Sequence, residues 1–324
     1  MAAITHAGFR CIVEPFGGCD EYYTEMINAG SYVNGGPFEK YYAVPDPVPE
    51  KVVWQITGKD CAHMAQAAAM LSSLQGTGID INMGCSAPDI VHSGAGVSWM
   101  TKPLEETRTM VHEVKAAVGE KRLSVKLRLG GEDFTEQGFF QFTDMLVSEG
   151  VTQLALHPRT SREKYRLPPR WEYVEQLALR YKEQGVSVIL NGAVRDMPSL
   201  NAALAAAPHC AGVMIGRAAV TYPWIFAVLS AGVQHAAYRF TVDRELVALT
   251  FIDMLEKYQP AEFLKTRLQR FFAYYCMGFT FAHYFQTQML NAKDCGDARL
   301  RVHDYFIRES TDRLFVASSG EIQD

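Results

Sequence analysis

The sequence predicts an α/β fold, a (β/α)8 TIM barrel followed by a C-terminal all-helical domain, and three observations carry that prediction. Eight short apolar runs alternate with longer amphipathic segments from the start of the chain to about Gly232. Several runs are apolar on both faces, as parallel strands covered by helices must be. Beyond about Thr241 the alternation stops and only helical patterns remain. The 324 residues suffice for one large barrel and a small appended domain, with the boundary drawn between 1–238 and 239–324.

Taken in order, the strand-like runs are Arg10–Pro15, Ser31–Asn34, Val52–Ile56, Ile79–Met83, Leu123–Leu127, Gln153–His157, Ser187–Asn191 and Gly212–Ile215. Helical patterns fall between them at Pro103–Val118, Glu136–Ser148, Trp171–Glu183, Met197–Ala206 and Pro223–Leu229. Pro103, Pro198 and Pro223 stand near helix starts, where a missing N–H costs nothing. Eight strand-then-helix units favour a closed parallel barrel over an open sheet. An open doubly wound sheet is the alternative, but no glycine-rich dinucleotide turn follows the first run. In the tail, helices are predicted at Arg244–Glu256 and Glu262–Cys276 and onward to Arg313, with no β-alternation.

Composition narrows the function classes. With 48% hydrophobic and 21% charged residues, the chain has the balance of a globular protein and not of a disordered one. A net charge of -5 argues against a general nucleic-acid coat protein, while leaving room for a local basic stripe. The cysteines are scattered, with no CxxC and no zinc-like His/Cys spacing, which predicts free thiols in a reducing compartment and no metal site. No signal-peptide pattern opens the chain, and no run reaches the roughly 18 apolar residues of a membrane helix. A cytoplasmic, monomeric protein is expected.

Functional groups of a barrel collect where strands end. Gln55 stands near the end of the third run, and Asn82-Met83-Gly84-Cys85 follows the fourth. Lys126-Leu127-Arg128 closes the fifth, His157-Pro158-Arg159-Thr160 the sixth, Asn191-Gly192 the seventh and Gly216-Arg217 the eighth. This ring suits a phosphorylated aromatic cofactor. Backbone N–H groups of Asn191-Gly192 and Gly216-Arg217 can cradle a phosphate, because glycine lets the backbone come close. Arg217 adds a charge-assisted donor. Lys126 can hold negative charge on a reduced ring, and Gln55 offers the donor and acceptor of a pyrimidine edge. Singly, each has a plainer reading as a turn or packing residue. Their recurrence at strand ends three to eight is what packing alone does not produce.

Several motifs together resemble one family. Asp80-Ile-Asn-Met-Gly-Cys85 with Gly94-Ala-Gly96, Val125-Lys-Leu-Arg128, and the run His157-Pro-Arg-Thr-Ser-Arg-Glu-Lys-Tyr165 before Trp171 are similar to motifs of the tRNA-dihydrouridine synthases. So are Asn191-Gly192, Val213-Met-Ile-Gly-Arg217 before Pro223-Trp224, Gln55-Ile-Thr-Gly58 and Glu14-Pro-Phe-Gly17, over about residues 10 to 232. The resemblance implies FMN held by Pro15, Phe16, Gly17, Gln55, Lys126, Asn191, Gly192, Gly216 and Arg217, with His157 and Ala193 beside it. It implies NADPH as reductant, hydride delivery from reduced FMN to uracil C6, and protonation of C5 by Cys85. A thiol suits that role, since near neutral pH it holds its proton yet can release it. Asn82 would position the base.

The resemblance also implies tRNA, or another structured RNA, as partner, its target base leaving the stack to reach the mouth. Arg128, Arg159, Arg162, Lys164 and Arg166 are the rim candidates for phosphate contact. In the tail, Lys265, Arg267 and Arg270 precede Phe271, Phe272, Tyr274 and Tyr275, cations beside aromatics that suit RNA. The plainer reading there is a solvated helix face over an aromatic core. Four positions depart from the family pattern: Ser86 stands for a proline, Asp89 for a lysine, Ala193 for an acid and Phe16 for a methionine. Two rival functions are an FMN barrel acting on a small molecule and a nonredox RNA-binding relative.

Overall fold

The structure, a computed structural model, describes residues 1–131, 133–163 and 166–319. Its first two elements correct the sequence reading. Arg10–Pro15 is not a strand: α1 (Ala7–Val13) runs into a 3-10 turn at Glu14–Phe16. Phe9, Ile12 and Val13 are buried at helical spacing. Arg10 is buried with them, its guanidinium donating to the carbonyls of Thr5, Val44 and Asp46. An i, i+3, i+4 pattern outweighs apolar content in choosing helix over strand. Ser31–Asn34 likewise falls in and just after α2 (Ala29–Val33), which Asn28 caps by accepting the Ser31 N–H at 2.9 Å.

The strands present in that region are β1 (Tyr22–Tyr23) and β2 (Ile27–Asn28), both too short to show alternation. They lie parallel to the start and the end of β3 (Val52–Thr57). From there prediction and structure agree closely. α3 (Cys61–Ser72), β4 (Gly78–Met83), the short α4 (Pro88–His92), α5 (Leu104–Val118), β5 (Arg122–Arg128), α6 (Glu136–Ser148) and β6 (Gln153–His157) follow in order. Then come α7 (Glu172–Arg180), β7 (Ser187–Asn191), α8 (Met197–Ala206), β8 (Gly212–Met214), α9 (Arg217–Thr221) and α10 (Ile225–Val233).

All eight strands form one parallel sheet in the order β1-β3-β4-β5-β6-β7-β8, with β2 also on β3. The sheet curls with helices around it, the architecture of a TIM barrel. Among the described residues no ladder joins β8 to β1 or β2. The Met1–Thr5 turn occupies that edge. Its Ala3 N–H donates to the Glu25 carboxylate between β1 and β2. The Met1 sulfur lies so near Gly216 that a Cβ there would meet it at 3.1 Å.

The C-terminal region is helical, with α11 (Arg244–Tyr258), α12 (Ala261–Tyr275), α13 (Ala282–Leu290) and α14 (Cys295–Arg308). The expectation of no β-structure beyond Thr241 is corrected: β9 (Arg239–Asp243) pairs antiparallel with β10 (Leu314–Ser318). Each strand is five residues long and its partner is over seventy residues away, so neither offers a hairpin signal. Phe271, Phe272 and Tyr275 are fully buried, Phe251 stacking on Phe271 at 3.7 Å and Phe271 on Tyr275 at 5.0 Å. Those three aromatics form core, not an RNA platform. Among the described residues no helix is long and apolar enough to cross a membrane.

Candidate active site

Strand register builds the site. Parallel pairing sets Gln55 beside Asp80, Asp80 beside Ser124, Asn82 beside Lys126, and Arg128 beside His157. Side chains two apart on a strand share a face, so these polar residues line the barrel interior while Ile79, Ile81 and Met83 pack outward. A connected amide network results. Gln55 Nε2 donates to Asp80 Oδ2 at 2.7 Å, and Asn82 Nδ2 donates to Gln55 Oε1 at 2.9 Å. Asn82 Oδ1 accepts the backbone N–H groups of Gly84 and Cys85 at 3.2 and 2.9 Å. Ser124 Oγ donates to the other Asp80 oxygen at 2.7 Å.

The network fixes the Cys85 loop. The Cys85 carbonyl accepts the Val97 N–H at 2.9 Å. Gly96 has φ +60, and a Cβ there would fall 2.5 Å from the Cys85 oxygen, so only glycine lets the loop close this tightly. Asn82 thus shapes the loop that presents Cys85, and one of its Nδ2 hydrogens is left over from these contacts. Asp80, which the sequence reading did not single out, anchors the whole array. Burial raises its carboxyl to about 6, against the pull of Ser124, Gln55, Lys126 and Arg122. A polar residue at 80 and again at 82, on an otherwise apolar strand, was the signal that could have found it.

Above this layer several cations face one imidazole. His157 is pushed down to about 2, first by burial and then by Lys126, Arg128, Arg159 and Arg217. The imidazole is therefore neutral, and its Nε2 accepts from Arg159 Nη1 at 2.8 Å, which leaves the proton on Nδ1. Arg159 also donates to the Leu167 carbonyl at 2.6 Å, and Arg128 to the Gly84 carbonyl at 2.7 Å. Both arginines are buried, inside the mouth and not out on its rim. Lys126 is lowered to about 8 by burial and by Arg128, with Asp80 and Cys85 opposing. Its ammonium makes no hydrogen bond or ion pair among the described residues.

The glycine turns sit beside these cations. Asn191 Nδ2 donates to the Met214 carbonyl at 2.8 Å, and Trp171 Nε1 donates to the Gly192 carbonyl at 3.2 Å. Gly192 has φ +117, and a Cβ there would lie 2.6 Å from His157 Cδ2. Gly192→Ala is accordingly expected to lower stability by about 2–4 kcal/mol, combining backbone strain with overpacking. Denaturant midpoints check this, and a loss under roughly 0.5 kcal/mol would contradict the geometry. Ala193 follows at φ +63, exposed, and Arg217 is exposed at the start of α9.

Not every expected residue reaches the mouth. Pro15, Phe16 and Gly17 lie at the opposite end of the strands, before β1, where Phe16 packs on Trp224 and Phe240 at 5.8 and 5.9 Å. The misread first strand is the reason, and Met1–Ala3 stands at the mouth in their place. Arg267 is buried and paired with Glu25, so it is not a surface cation for RNA, whereas Lys265 and Arg270 on α12 are exposed. Lys164 lies outside the described residues. A cleft of about 480 Å³ opens beside the Cys85 loop, with Ser86, Val91, His92 and Val97 on one wall and Arg162 and Arg166 on the other.

A TIM barrel that gathers a thiol, an amide network and convergent cations at the carboxyl ends of its strands has the build of an enzyme active site. The dihydrouridine synthase (Dus) family model matches residues 1–305. The chain is 31% identical over 234 residues to "Probable tRNA-dihydrouridine synthase" of Aquifex aeolicus, covering 70% of this chain and 69% of that one. It is 26% identical over 314 residues to "Probable tRNA-dihydrouridine synthase 2" of Bacillus subtilis, covering 94% and 92%. To the tRNA-dihydrouridine(16) synthase of Cupriavidus necator it is 32% identical over 206 residues, covering 63% and 58%. The chain belongs to the dihydrouridine synthase family, a family of enzymes.

Proposed function

We propose that this protein is an FMN-dependent tRNA-dihydrouridine synthase, reducing selected uridines in tRNA to 5,6-dihydrouridine at the expense of NADPH. The observation that supports this most is the convergence of Lys126, Arg128, Arg159 and Arg217 on a neutral His157, next to Gly192. Lys126 makes no hydrogen bond or ion pair among the described residues, and with arginines gathered around the same imidazole the setting suits an anionic ligand. A flavin mononucleotide fits: its phosphate suits Arg217 and the Asn191-Gly192 and Gly216 turns, and its ring edge suits Lys126. Gln55 has one N–H and one lone pair left after bonding Asp80 and Asn82, enough for one donor–acceptor contact with a pyrimidine edge.

FMN held by these residues would, when reduced by NADPH, supply the hydride that uracil C6 accepts. The chain's own residues do the remaining work. Cys85 gives its thiol proton to C5, on a loop that Asn82 and Gly96 hold in place. Arg162 and Arg166 face RNA phosphates across the cleft, and Lys265 and Arg270 on the region from residue 239 onward add a second contact. The enzyme acts as a monomer in the cytoplasm, where tRNA is modified. Position-resolved mapping of dihydrouridine in tRNA from a deletion strain tests this: loss at defined sites is expected, and unchanged content at every site would refute it.

A further inference from the structure

We infer that Arg267, a residue of the helical tail, is a positioning residue for the flavin site: through Glu25 it holds Met1–Ala3 in place as one wall of the barrel mouth. The inference rests on the flavin reading above and concerns residues that reading does not use.

Arg267 and Glu25 are each 3% exposed, and Arg267 Nη1 donates to Glu25 Oε2. The other carboxylate oxygen, Oε1, accepts the Ala3 N–H. The guanidinium lies over the rings of Phe263 and Tyr42, 4.9 and 5.4 Å from their centroids, so packing as well as charge sets its direction. Glu25 is fixed from the barrel side too. The N–H of its neighbour Thr24 donates to the Val53 carbonyl at 3.1 Å, and the Thr24 hydroxyl accepts the Gln55 N–H at 3.0 Å.

Ala3 has φ +59, a left-handed conformation that alanine rarely adopts and that persists only where surroundings hold it. The turn closes locally through the Ile4 and Thr5 N–H groups, which both donate to the Met1 carbonyl at 3.1 Å, and the buried carboxylate is the contact that ties it to the rest of the barrel. Two residues earlier, Met1 has Glu25, Lys126 and Cys85 as its electrostatic neighbours and sets its sulfur against Gly216. The series of contacts thus runs from α12 through Arg267, Glu25, Ala3 and Met1 to the glycine turn assigned to phosphate. Docking the tail does not require it. α11 packs along α1, and Tyr258 donates to Asp46 at 2.9 Å, independently of this pair.

The test uses the full-length protein stripped of flavin and titrated with FMN by fluorescence quenching. Glu25→Leu with Arg267→Met removes both charges together, so neither is left buried alone. Its FMN Kd should rise about tenfold or more, as misplacing one wall of a site does, with an unfolding midpoint near that of the parent. Ala3→Pro deletes the N–H and cannot adopt φ +59, while leaving the ion pair and tail untouched, and should weaken FMN to a similar degree. Arg267→Lys, which keeps the cation on Glu25, should recover most of the affinity. Either of the first two variants binding FMN within twofold of the parent would overturn the inference and leave a plain structural staple. Should the double variant fail to fold, Ala3→Pro decides alone. A parent protein that takes up no FMN would overturn the flavin reading itself, and this inference with it.

Discussion

Cys85→Ala should bind FMN about as tightly as the parent and form dihydrouridine about 10²–10⁴-fold more slowly, the range that a positioned general acid supplies. The loop geometry makes this a clean experiment. Asn82 holds the Cys85 N–H, Val97 holds its carbonyl, and Gly96 closes against it, so these contacts reach the backbone of Cys85 and not its thiol. Removing the thiol leaves all of them in place. Single-turnover assays with tRNA, read as dihydrouridine released on digestion, give the rate. Parent-like turnover in the variant would show that the proton comes from elsewhere.

Lys126→Met is expected to move stability and binding in opposite directions. Burial, first, and Arg128, second, hold the Lys126 ammonium at about 8, below its ordinary 10.5. A base whose folded value is lowered binds fewer protons folded than unfolded between those two values. Stability therefore rises as pH climbs from about 8 to about 10.5, and below 8 the full cost of the buried cation remains. Methionine removes that cost, so the flavin-free variant should gain up to about 3 kcal/mol at neutral pH and lose the alkaline rise. FMN affinity should fall about 100-fold, since a charge-assisted contact in a dry site is worth a few kcal/mol. Asp80 contributes a separate limb: its value is raised, so its cost appears as pH rises from 3.8 to about 6 and is complete above that. Denaturation across pH, with and without FMN, reads both limbs, and a variant less stable than the parent at pH 7 would contradict the assignment.

Strands β3 to β8 were legible because each is a covered apolar run bounded by polar strand ends, and the ring from Gln55 to Arg217 followed from them. The first strands were not, for a local reason. Arg10–Ile12–Val13 reads as a β-rich run until Phe9 is counted, when the spacing becomes helical, and Tyr22–Tyr23 and Ile27–Asn28 are too short to alternate. That single misreading moved the first cofactor motif to Pro15–Gly17 and hid Met1–Ala3 and Glu25. Arg267 was misplaced for a different reason. On α12 it lies between Lys265 and Arg270 in sequence, but helical geometry turns it inward while they face out, and only the position of Glu25 on another element reveals its partner. The β9–β10 ladder was invisible because its strands are brought together by the four tail helices and not by a turn.

The most direct measurement is the absorption spectrum of the purified protein after incubation with FMN and gel filtration. One flavin retained per chain, bleached by NADPH and restored by unmodified tRNA, is the expected result. A colourless protein that retains no FMN, yet melts cooperatively as a folded chain, would contradict the assignment of the cation-lined mouth to a flavin.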